Sequence, residues 1–145
     1  MKDTWAPNEE EYRLIRQVAK SDDDCPVLMI NINYYLPSAG FPDGKPYSEW
    51  MQVLPNLASE VGAKILWRVP VFGQPIGHQN AHEIIGAWYP SHKAFLSLKD
   101  APSAVESFRL RELCVAEAVV HRCPEEIIPN QQWHRYSRPP DRWEF

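Results

Sequence analysis

At 145 residues and 16.8 kDa, the chain has the size of one ordinary domain with appended ends, enough to bury a real core. Its 44% hydrophobic and 23% charged composition is that of a soluble globular protein, and no apolar run approaches the roughly 20 residues of a membrane helix. A net charge of −4 and a pI near 5.7 speak against a nucleic-acid-binding surface, which needs a basic face.

The opening MKDTWAPNEEEY has a charged start but no apolar core, so no secretory signal is read and a cytoplasmic location is expected. Cys25, Cys114 and Cys123 lack C-x-x-C spacing, which predicts reduced thiols rather than disulfides or a zinc knuckle. Asn8 and Glu11 form a capping-box pattern that starts a helix over 9–20, with Tyr12, Ile15 and Ala19 on its apolar face. Residues 27–35 predict a strand with Leu28, Ile30 and Ile32 on one side and Met29, Asn31, Asn33 and Tyr35 on the other. The loop 36–46 is rich in proline and glycine. Tyr47, Trp50, Met51, Leu54, Leu57, Ala58 and Val61 then recur at helical spacing up to Gly62, with Pro55 expected to kink or split that helix.

Residues 63–72 alternate as a strand, and Pro70 makes part of it an edge or a bulge. A polar loop, GQPIGHQNAH, leads to a third strand over 83–89. Ser91 caps a helix that turns His92, Phe95 and Leu96 inward. Beyond a break at 99–102, Ser103 and Glu106 predict a second capping box, opening a helix with Val105, Phe108 and Glu112 in line. A fourth strand over 116–121 follows, and Pro124 ends it. The order is β-α-β-β-α-β, which predicts an α+β fold: a ferredoxin-like antiparallel sheet with helices on one face. The other face would be bare, so two chains are expected to pack sheet to sheet as a homodimer. We read residues 1–25 as an N-terminal helical extension, 26–123 as the domain and 124–145 as a proline- and aromatic-rich tail.

The segments AKILWRVPVFG, IIGAWYPSHKAF and FRLRELCVAEAVVH resemble a small uncharacterised bacterial family, of the domain-of-unknown-function 1330 type, within the dimeric α+β barrel superfamily. Family members carry Gly-Gly before the second strand with an arginine late in it, a Glu-Phe-Pro-Ser turn after the third, and an arginine before the fourth. Those places read here Gly62-Ala63, Arg68, Trp88-Tyr89-Pro90-Ser91, and Arg109 or Arg111. The resemblance spans about residues 27–123 and implies the fold and a dimer.

For function, the paired amides Asn31 and Asn33 are the most informative residues: their strand face is expected to look onto the partner's sheet, where buried amides need partners that a ligand or water can supply. Tyr35, Trp67, Arg68, Trp88, His92 and Arg111 complete a predicted pocket for a small organic ligand, with Arg68 or Arg111 as a carboxylate clamp. Trp67 and Arg68 alternate, so a regular strand turns only one of them inward. The alternatives are a purely structural dimer and a cofactor-independent or haem-type monooxygenase of the same superfamily. Haem-degrading relatives resemble an order of Asn on strand one, Trp on strand three and His on the next helix, here Asn31 or Asn33, Trp88 and His92, although their histidine sits nearer the position of Leu98. No metal, cofactor or catalytic residue is assigned: His78 and His82 are four apart but lie in a segment of loop composition. Trp133, Tyr136, Trp143 and Phe145 predict that the tail wraps the neighbouring subunit or covers the cavity mouth. Interleaved Arg135, Arg138 and Arg142 would fit single-stranded nucleic acid, which the acidic balance argues against.

Overall fold

The computed structural model describes residues 6–125. Helix α1 (Glu9–Lys20) precedes β1 (Val27–Tyr35), α2 (Lys45–Glu60), β2 (Lys64–Pro70), β3 (Glu83–Tyr89), a short α3 (His92–Leu96), α4 (Ala104–Cys114) and β4 (Val115–Pro124). The chain is α+β, with one antiparallel sheet ordered β2-β3-β1-β4. That order is what two β-α-β halves give when each leaves a gap that the other's first strand fills.

Strand alternation assigns the two faces. Val27, Met29, Asn33 and Tyr35 of β1 are buried together with Glu83, Ile85, Ala87 and Tyr89 of β3. This is the helix side, and two clusters fill it. Tyr35 packs with Tyr47 and Trp50 of α2 and Leu110 and Cys114 of α4. Met29 and Val27 pack with Ile15 of α1, Ala58 of α2 and Ala87 and Tyr89 of β3. Helix α1, read from sequence as an extension, therefore supplies core. The expectation that the amide face of β1 looks onto a second sheet is corrected: helices cover it, and Leu28, Ile30 and Ile32 take the open side, the one that no described helix covers.

Several local readings meet their outcome here. Asn8 Oδ1 accepts the Glu11 amide at 3.1 Å, half of the capping box. The other half is absent because the Glu11 carboxylate is drawn across to Arg122 of β4. Pro55 does not divide α2; it stands on the exposed side, where the carbonyl that loses its donor can be hydrated. Ser103 makes no side-chain cap, since its hydroxyl donates to Glu60 at 2.6 Å and its amide to the same carboxylate at 2.8 Å. In α4 the buried line is Ala104, Ser107, Leu110 and Cys114, while Val105 and Phe108 face solvent. The tail reading falls on residues 126–145, outside the described residues.

The His92 helix is anchored by one carboxylate. Asp24 accepts from the amides of His92 at 2.7 Å and Lys93 at 3.2 Å, and from the His92 ring Nδ1 at 3.0 Å. Burial raises the Asp24 carboxyl, but these hydrogen bonds outweigh it and hold the group below the ordinary carboxylate range. A carboxyl depressed in the folded state stabilises above its unfolded value, and that contribution is lost as pH falls through the folded one. Asp24→Ala should thus cost about 2–3 kcal/mol at pH 7 in chemical denaturation. Its difference from the parent should shrink in acid; a gap constant down to pH 2 would refute the assignment.

Candidate functional site

Glu83 opens β3 and is the one acidic side chain among the described residues that is buried, at 5% exposure. Alternation explains its direction: it shares the inward face with Ile85, Ala87 and Tyr89. A carboxylate in such a place needs compensating donors, and two phenols provide them. Tyr35 Oη donates to Oε1 at 2.6 Å and Tyr47 Oη to Oε2 at 2.7 Å. Asn33 Nδ2 donates in turn to Tyr35 Oη at 3.3 Å, and Arg68 Nη1 to Tyr47 Oη at 3.2 Å. Burial first, and the hydrogen bond to an adjacent carboxylate second, push both phenols well above the usual tyrosine value. Both therefore stay protonated, fixed as donors.

The network floors an open groove of about 680 Å³ between the start of α2 and the end of β2, walled by Phe41, Pro42, Tyr47, Ser48, Met51, Gln52, Arg68 and Pro70. Phe41 and Pro42 reach it through a tight loop. Gly40 has φ 75°, and a Cβ on Gly40 or Gly44 would fall 2.7 or 2.5 Å from the other's Cα, so the turn closes only with glycine at both. His82 backs the same loop. Its Nδ1 accepts the Tyr35 amide at 2.9 Å, so that nitrogen carries no proton, and its ring stacks 4.6 Å from Tyr34 and tilts 5.6 Å from Phe41. A second concavity of about 390 Å³ lies within loop 71–81 and is walled by that loop's own residues.

Of the residues predicted to line a pocket, Asn33, Tyr35 and Arg68 come together here. Asn31 stays half-buried on the same face, its amide on the Met29 carbonyl at 3.2 Å. Trp67 and Trp88 lie on the opposite, open face. The Trp67 ring covers Gly86, and Trp88 Nε1 donates to Glu125 at 3.0 Å. His92 is closed in by Asp24, the Cys25 carbonyl at 3.2 Å and Arg122, 3.5 Å from its Nε2. Arg111 does not line the groove; it lies near the phenols of Tyr12, Tyr89 and Tyr35, and desolvation lowers its pKa. Asn33, Trp88 and His92, the trio compared with haem-degrading relatives, thus face three different surroundings. Among the described residues no group of three His, Cys, Asp or Glu is placed to hold a metal.

Glu83 and Tyr47 are the site residues that sequence reading missed. From sequence Glu83 is only the first residue of the third strand, and Tyr47 only an apolar position of the second helix. The signal lay in phase, since Glu83 is in step with three inward residues of its strand.

No family model matches the chain, and no curated protein matches its sequence. Among solved structures it is similar to the methylated RPA0582 protein, with a TM-score of 0.70 at 22% identity over 90% of this chain and 100% of that one. The RPA0582 protein of unknown function from Rhodopseudomonas palustris, a structural genomics target, gives 0.68 at 23% identity over 88% and 100%. At such identity the likeness establishes the fold.

If Glu83 is held as described, Tyr35→Phe should destabilise by about 1–3 kcal/mol, because it strips one oxygen of a buried carboxylate of its donor. In a Glu83→Met background the same change should cost under about 1 kcal/mol. Equal costs in the two backgrounds, measured by urea unfolding, would dismiss the coupling.

Proposed function

We propose that this is a homodimeric small-molecule-binding protein whose ligand lies in the groove between α2 and β2. The observation that carries the reading is the hydrogen-bonded Glu83 network beneath an open groove of mixed apolar and polar lining. Ligand sites of this kind combine apolar walls with a few fixed polar groups. Here Phe41, Pro42, Met51 and Pro70 supply the walls, and Tyr47, Gln52, Ser48 and Arg68 the polar points. A site of this size suits a small organic molecule.

The homodimer rests on the side of the sheet that no described helix covers. Leu28, Ile30, Ile32, Trp67, Val69, Ile84, Trp88 and Val119 project there from all four strands, with Trp67, Val69 and Val119 left 37–44% exposed. An apolar face this continuous is costly to leave in water, and a two-fold pairing of identical faces removes it. The groove opens on the other side of the sheet, so sheet-to-sheet pairing leaves it accessible.

Two measurements address these halves separately. In a fragment screen followed by amide NMR shifts, binders should perturb Phe41, Tyr47 and Gln52; hits gathering only at other surfaces would count against the groove. In sedimentation the parent should run at twice its chain mass and Val119→Glu nearer to one chain; a parent that stays monomeric at high micromolar concentration would end the dimer reading.

A further inference from the structure

The groove also carries a charge asymmetry that selects its ligand. Among the described residues that line it, two are charged, Arg68 and Glu83. They do not present themselves equally. Each Glu83 oxygen already accepts a short phenolic hydrogen bond, from Tyr35 and Tyr47, and the group is buried beneath them. A ligand cation would have to displace a tyrosine to meet it. Arg68 is exposed, and among the described residues its hydrogen bond is the single one from Nη1 to Tyr47 Oη. A guanidinium has five N–H donors in a planar fork, so most of this fork is open to the groove. The contact with Tyr47 still fixes it in direction, which lowers the entropy lost when a ligand engages the remaining donors.

We infer that the groove takes a small carboxylate with a flat apolar body, its carboxylate on Arg68 and its body between Phe41 and Met51. Resting on the groove as the binding site, the inference adds which charge the ligand bears and which residue reads it. Tyr47 acts as a positioning residue: by donating to Glu83 it turns an oxygen lone pair toward Arg68 and holds the fork at the groove mouth. The Glu83 carboxylate is then the source of that order, although it never meets the ligand. Neutral molecules of the same shape would keep the apolar contacts and lose the charged pair.

Benzoate and benzamide share a ring and differ in charge, which makes them suitable probes for titration into the full-length protein at pH 7, read by amide NMR shifts. Benzoate should saturate shifts at Tyr47, Met51 and Gln52, and benzamide should bind roughly tenfold or more weakly, the size of a charge-assisted hydrogen bond. Arg68→Gln should bring benzoate down to the benzamide level while leaving benzamide unchanged. Arg68→Lys should recover part of the difference, because charge returns without the fork. Arg68 is exposed, so an unaltered spectrum away from the groove will certify the fold of both variants. Equal binding of the two probes, unaffected by Arg68→Gln, would overturn the carboxylate inference and leave the groove standing. Failure of both probes to move any groove amide would overturn the groove as well.

Discussion

A buried carboxylate governs the arrangement on the helix side of this sheet. Leaving Glu83 ionised in the core without partners would cost several kcal/mol, and its two donors come from different elements. Tyr35 ends β1, and Tyr47 lies in the first turn of α2. The pairing of Asn33 with Glu83 brings the end of β1 beside the start of β3, which puts the Tyr35 phenol within reach. Tyr47 can reach the other oxygen only if α2 begins over that same corner. The loop 36–44 must therefore fold back tightly, and the Gly40–Gly44 contact is how it does so. Phe41 is carried along and stacks 5.1 Å from Tyr35 and edge-on 5.0 Å from Tyr47. The groove wall is a by-product of solvating an acid with phenols.

The opposite corner of the helix side is held in the same manner by other groups. Glu11, Arg122, His92 and Asp24 run in a line from α1 to the turn before β1. His92 Nδ1 faces two oxygens, and its Nε2 faces a guanidinium, so Nδ1 is placed to donate and Nε2 to accept. Each end of the sheet thus has an apolar cluster and one ionic network that fixes a helix over it.

Much of this was legible before any coordinates. The strands 27–35 and 83–89 and the helix 9–20 follow from alternation and capping chemistry, which act locally. What failed was information held by distant residues. Period-two alternation divides β1 into two faces but is silent on which face the helices choose. The amide side looked like a cavity lining, yet Asn33 is satisfied by Tyr35, two residues along the same strand. Ser103 has the pattern of a cap, but Glu60, 43 residues earlier, takes its hydroxyl. Glu83 could be given its inward phase from the sequence; its partners, 48 and 36 residues away, could not be named.

The edge strand β2 shows how one irregularity serves both faces. Ile65 pairs with Ala87 and points inward, so a regular ladder would turn Trp67 inward too and leave Arg68 outside. Instead Trp67, not Leu66, pairs with Gly86, and two residues of β2 oppose one of β3. This bulge re-phases the strand. Trp67 swings to the open side and lays its ring over Gly86, where the missing side chain leaves room for it. Arg68 then falls in step with Ile85 and reaches Tyr47 above the groove. Leu66, the extra residue, is left half-exposed at the edge. Trp67 and Arg68 compete for one inward position on a regular strand. The bulge resolves that competition in favour of the arginine, and it does so at a sheet edge, where a lost ladder hydrogen bond is least costly. The same displacement that extends the apolar open face places the guanidinium at the mouth of the groove, so the two surfaces of this protein are coupled through a single backbone shift.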